Sequence, residues 1–182
     1  IDAGVGTYTR QTFSKDRYTI WTMQSNYHNL PLINGVPQKH GATYKATQVQ
    51  ADKRKNTFTA NIATAYPAEA EVESWIRSYS LQKGQLRISD SFRLTTAKQP
   101  NQINFMTWGQ VNTEIPGKIQ LEVKGKKAFI EYDKQLFDVK TETIPLTDPR
   151  LSNVWGKSIY RITLTATNIY KTGNYSFIIK KQ

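Results

Sequence analysis

Two packed layers of antiparallel strands, an all-β sandwich of supersandwich type with at most one short helix, is the fold class this sequence predicts. Three observations carry it. Nearly every patterned stretch alternates apolar and polar residues with period two, the mark of a half-buried strand, and almost none follows the 3.6-residue period of a helix. The stretches are rich in Thr, Ile, Tyr and Phe. Clusters of Gly, Pro, Asn and Lys separate them at short intervals. The chain has 182 residues and no internal repeat, low-complexity tract or Pro/Ser-rich linker, so residues 1–182 read as one domain.

In chain order, "TFTANIATA" (57–65) places Phe58, Ala60 and Ile62 on one face, with Thr64 in phase. "PAEAEVESW" (67–75) is the one helical candidate. Pro67 suits a first turn and three glutamates follow close to the positive end of the dipole, which predicts a short helix or turn between two strands. "QLRISDSF" (85–92) resumes the alternation with Leu86 and Ile88, and with Phe92 in phase. Further strands are predicted at "QINFMTW" (102–108), "KIQLEVKG" (118–125), "AFIEY" (128–132), "LFDVKTETI" (136–144), "SIYRITLTATNIY" (158–170) and "NYSFIIKK" (174–181). Between them lie the turn signals "QKGQ", "AKQPNQ", "EIPGK", "KGKK", "LTDPR" and "KTGN". The cations of "DKRKN" (52–56), flanked by turn formers, read as a solvated hairpin tip.

Composition excludes several classes of chemistry. No cysteine is present, so disulfides, Cys-ligated zinc and thiol catalysis are ruled out. No apolar run approaches the roughly 20 residues of a membrane-spanning helix. The chain begins at Ile1, and "IDAGVGTYT" has neither the basic start nor the apolar core of a signal peptide, which predicts a segment of a longer protein. With 25 Lys and Arg against 14 Asp and Glu, the net charge of +11 favours an anionic partner. There is no HExxH, GxSxG, Walker or dinucleotide-binding glycine motif. The Tyr, Phe and Trp residues carry no RNP-like pattern, and alternation puts Phe58, Phe92 and Phe105 on core faces, so no specific nucleic-acid partner is expected.

Only two histidines occur. His40 lies in the polar turn "PQKHGATY", where a solvated role is expected. His28 sits in "TMQSNYHNLPLINGVPQ" (22–38) and is the better candidate for a specific job: base, metal ligand or buried hydrogen-bonding group.

The first forty residues narrow the choice. Asp2-Ala3-Gly4 at a strand end, Tyr8, Arg17-Tyr18, His28-Asn29, the Asn34-Gly35 turn and Gln38 together resemble the C-terminal part of the heparinase II/III-like polysaccharide lyases. "AYPAEAEVESWIRSYSLQKGQLRISDSF" and "INFMTWGQV" extend the resemblance over most of the chain.

The resemblance implies a β-sandwich that follows a helical toroid, cleaves acidic glycans such as heparin or heparan sulfate by β-elimination, and works in a bacterial periplasm or outside the cell. It implies that catalytic groups lie largely on the toroid and in a histidine motif before Ile1, so no catalytic residue is assigned within this chain. It also implies a zinc ion held by Asp2, His28 and a third ligand upstream. Tyr8, Arg10 and Arg17, in the loop after the Asp2 strand end, are the candidate glycan contacts, because Arg forms paired hydrogen bonds with carboxylate or sulfate. For Arg17 a loop-bracing role is the alternative. For the whole chain the alternative is a stand-alone carbohydrate-binding or adhesion module, with Trp21, Trp75, Trp108 and Trp155 as stacking platforms.

Overall fold

The computed structural model describes all 182 residues. The first thirty have no apolar alternation and form no strand. They run irregularly into four 3-10 turns, Arg10–Phe13, Arg17–Thr19, Trp21–Met23 and Ser25–Tyr27. The strands follow: β1 (Pro31–Leu32), β2 (Thr47–Asp52), β3 (Thr57–Asn61), β4 (Val72–Gln82), β5 (Gln85–Leu94), β6 (Gln102–Thr107), β7 (Gln110–Ile115), β8 (Lys118–Val123), β9 (Lys126–Tyr132) and β10 (Phe137–Pro145). One helix, α1 (Pro149–Trp155), precedes β11 (Ser158–Ala166) and β12 (Thr172–Lys181).

These strands make two antiparallel sheets, one of four strands in the order β1-β6-β11-β10 and one of eight in the order β2-β3-β4-β5-β12-β9-β8-β7. The main core lies between them. Trp75 stacks on Phe92 at 4.9 Å, and Phe177 meets both Phe105 and Phe137 edge-on or tilted at 5.4 Å. A second, smaller cluster of Ala3, Met106, Ile144, Leu146, Leu151 and Ile159 packs with Trp21, Tyr27 and Trp155. The four-stranded sheet is thereby covered on both faces, which explains why every residue from Ile103 to Thr107 is buried.

Two groups of side chains fix the layers. Arg77 on β4 and Asp90 on β5 are register partners, 2% and 1% exposed, joined by Nε to Oδ1 and Nη2 to Oδ2 bonds of 2.7 Å each. The Trp75 indole also donates to Asp90 Oδ1 at 2.8 Å. Arg77 Nη1 reaches out of the sheet to the Asn29 carbonyl at 3.0 Å. Asn34 takes the left-handed backbone (φ 53) of a tight turn with Gly35 (φ 74). Its buried amide donates to the carbonyls of Ala70 and Thr96 and accepts from the Lys98 N–H, tying three loops together.

The sandwich predicted from alternation is present, with local differences. Of the two alternatives for "PAEAEVESW" the turn is found: Ala68–Ala70 turn in 3-10 fashion, Glu71 adopts φ 47, and β4 begins earlier than expected, at Val72. The one α-helix instead starts in "LTDPR", where the Asp148 side chain caps the Arg150 N–H and Pro149 occupies the first turn. Phe58 shares a face with buried Ala60 yet is 41% exposed, because eight strands opposite four leave the margin of the broad sheet uncovered. The strand at 57–65 also stops at Asn61, whose carbonyl oxygen Oδ1 accepts from the Ala63 and Trp75 N–H groups and turns the chain.

Removing one partner of a buried ion pair leaves the other charged and desolvated. Asp90→Leu is therefore expected to destabilise the fold by about 3–5 kcal/mol in denaturant unfolding, and adding Arg77→Met to recover much of that loss. A double variant as unstable as the single one would show that the pair's shape, not its charge balance, matters.

Candidate functional site

His28 ends the last 3-10 turn, which points its ring back at the start of the chain. Its Nδ1 lies 2.7 Å from Asp2 Oδ2 and its Nε2 lies 3.1 Å from the Thr22 carbonyl. The two residues named as metal ligands are thus brought together across 26 positions of sequence. Both neighbours of the ring are acceptors, so this arrangement is satisfied by an imidazolium donating from each nitrogen. Asn29, next in sequence, donates to the Ile1 carbonyl at 2.8 Å and accepts the Met106 N–H at 2.8 Å, which fastens the first residues to β6.

Burial works against the ionised Asp2 carboxylate, but the Gly4 N–H at 2.9 Å and the His28 ring outweigh it and hold its pKa below the ordinary carboxylate value. As a zinc pair the residues fit in part. The Nε2 to Thr22 bond is the kind of support that orients a metal-ligating imidazole. Two donors at zinc bonding distances of roughly 2.0–2.1 Å stand about 3.3 Å apart in a tetrahedral site, wider than the 2.7 Å seen here. No cluster of three or more His, Cys, Asp or Glu forms in the chain, so these residues supply two donors of the three a zinc site needs.

The three predicted glycan contacts occupy exposed positions and do not join into one site. Tyr8 packs edge-on against Phe13 at 5.8 Å, with the Arg150 guanidinium 5.1 Å from its ring. Arg10 opens the first 3-10 turn. The Arg17 guanidinium stands 5.3 Å from the Tyr18 ring.

Sequence reading missed the partner of Tyr18. His40 stacks on it with centroids 3.5 Å apart and planes 9° from parallel. Twenty-two residues separate the two, and no spacing rule connects them. This pair walls a cleft of about 360 Å³ whose lining includes Gln24, Asn26, Gln38 and Lys39. Amides, a cation and flat rings at one opening are the groups that hold a sugar carrying an acidic substituent.

No protein-family model matches the chain, and no curated protein matches it in sequence. Among solved structures, heparan sulfate lyase HepC from Pedobacter heparinus overlays 99% of this chain with a TM-score of 0.69 at 13% identity, using 28% of the lyase chain. The heparinase III BT4657 gene product overlays 100% of this chain with a TM-score of 0.65 at 12% identity, again using 28% of its length. The likeness is one of fold over the whole chain, and the chain spans little more than a quarter of these larger proteins.

The depressed pKa of Asp2 gives a signed pH dependence. Its contribution to anchoring the N-terminal segment is present above the unfolded carboxylate value near 3.8 and is lost as pH falls through the lower folded value. Hydrogen exchange at Gly4 should accelerate on acidification below pH ~4 relative to the intrinsic rate. In Asp2→Asn that acid limb should be absent.

Proposed function

We propose that this chain is the β-sandwich part of a polysaccharide lyase that cleaves uronic-acid-containing glycans such as heparin or heparan sulfate by β-elimination. The observation that carries the reading is the overlay of nearly the entire chain on one portion of a heparan sulfate lyase. The surplus of cations supports it from the side of the substrate. A helical domain elsewhere in the same polypeptide would supply the base. The reading places the protein in a bacterial periplasm or outside the cell, and no helix is long and apolar enough to cross a membrane.

The chemistry assigns tasks to this chain's residues. A uronate C5 proton is weakly acidic until its carboxylate is neutralised, so the lyase needs cations and hydrogen-bond donors beside that group. Arg17 and Arg10 are free to give paired hydrogen bonds to carboxylate or sulfate. Tyr8 adds an exposed ring for a sugar face. Asp2 and His28, with a third ligand outside residues 1–182, would hold a zinc ion that adds positive charge near the glycan. In that role His28 would not be the base, because zinc would occupy the lone pair of one nitrogen while the other, Nε2, faces the Thr22 carbonyl.

The competing reading is a carbohydrate-binding module without chemistry, which the Tyr18–His40 cleft favours. Ultraviolet absorbance of the unsaturated product, followed with the full-length protein on a panel of acidic glycans, separates the two. Product from the full-length protein and none from the 182-residue chain is expected. Binding without product by either would favour the module. In the full-length enzyme, Arg17→Ala should raise KM or lower kcat by about tenfold to a hundredfold at unchanged Tm, since a lost charged hydrogen bond is worth about 1.5–3 kcal/mol. A loss of activity that tracks a loss of Tm would instead assign Arg17 to the loop's architecture.

A further inference from the structure

The turn residues of the eight-stranded sheet gather positive charge at one of its ends. The β2–β3 tip, the β4–β5 tip, the β8–β9 tip and the last residues of β12 all emerge there, as the register pairs Thr57 with Ser80, Lys180 with Gln85 and Lys181 with Ala128 require. Nine of the 25 Lys and Arg lie on this end. Lys55, Lys127 and Lys180 are paired with Asp52, Glu122 and Glu131. Lys53, Arg54, Lys83, Lys124, Lys126 and Lys181 are exposed and have no acidic partner. Lys126, Lys127 and Lys181 line a hollow that has no apolar wall.

Two of these tips place lysine where backbone preference disfavours it. Lys83-Gly84 and Lys124-Gly125 are tight turns with φ 50 and 74, and φ 50 and 75. Asparagine is the low-strain residue at the first position, and this chain uses it in the turn at Asn34-Gly35. Lysine at these two tips costs local stability and leaves a projecting charge. Beyond the β8–β9 tip, Trp108 lies with its ring 5.5 Å from the Lys124 ammonium, a flat face at the edge of the array.

We propose that this end of the broad sheet is a binding edge for a linear acidic glycan, separate from the Tyr18–His40 cleft. The choice of glycan among polyanions rests on the lyase reading, and the spacing of the tips is compatible with it. Successive tips stand one and a half to two strands apart, roughly 7–10 Å, and span on the order of 25 Å. That interval is close to one disaccharide of an acidic glycan, so successive tips can meet successive repeats. A single tryptophan falls short of the run of aromatics that stacks successive bases. The cleft borders Pro67, before the start of β4, and the edge lies past its other end, so β4 sets them roughly 30 Å apart. A long chain held at the edge would be kept near the cleft between encounters.

The test compares two variants of the 182-residue chain, each losing four exposed lysines to glutamine. One changes Lys83, Lys124, Lys126 and Lys181; the other changes Lys15, Lys134, Lys157 and Lys171, away from the edge. Binding to heparan sulfate chains is titrated across salt concentrations, with circular dichroism confirming equal folding. The edge variant should bind at least about tenfold more weakly, with a salt slope shallower by about three, and the other should stay within about twofold of the parent. Equal losses in both variants would overturn the proposal, as would an absence of saturable binding by the parent. Equally tight, edge-dependent binding of single-stranded DNA of matched charge would reassign the surface to nucleic acid and overturn it too. Failure of the lyase reading is seen separately, as absence of unsaturated product from the full-length protein.

Discussion

The buried pair Arg77–Asp90 is the constraint on which the rest of the architecture depends. Each ion loses several kcal/mol of hydration on entering the core, and that cost is offset only if geometry and remaining hydrogen bonds are complete. Here they are. Asp90 receives the guanidinium fork and the Trp75 indole, and the one Arg77 nitrogen left over finds the Asn29 carbonyl. That last bond carries the constraint out of the broad sheet. Asn29 in turn holds Ile1 and Met106, and its neighbour His28 is presented to Asp2. The candidate metal pair is therefore positioned by a core ion pair through a single backbone carbonyl.

How much of this was legible in the sequence depended on what each segment uses for stability. Strands such as Gln85–Leu94 bury alternate residues against a facing sheet, so period two reports them faithfully. β4 was obscured because its inward positions include Arg77, and because Pro67 and the glutamates before it have helix-start chemistry that here makes only one tight turn. α1 was hidden for the converse reason. Asp-Pro opens turns and helices alike, and seven residues are too few to display a period. Phe58 shows the limit of alternation itself: it assigns a face, but not how far the opposing sheet extends.

What the sequence exposed around residues 28–34 are side chains that bond to backbone. His28, Asn29 and Asn34 each hold named carbonyls or N–H groups, and no other residue of similar size would do the same. Strand positions accept any apolar side chain of about the right volume. This contrast allows a fold to be kept over the whole chain at only 12–13% identity to the structures it overlays. The Tyr18–His40 stack, which pairs two distant segments by ring contact alone, leaves no such mark.

The position of β12 has a consequence for how the protein comes into being. The last strand of these 182 residues is not an edge. It lies between β5 and β9, in register with both, and joins what would otherwise be two separate groups of strands. In the smaller sheet β11, also late, separates β6 from β10. Neither layer can close until β11 and β12 have been made, so the emerging polypeptide must pass through a stage with much of the apolar surface of the earlier strands wet and several strand edges open. Such a chain depends on the cell's holding factors during translation more heavily than a fold whose strands pair in order of appearance.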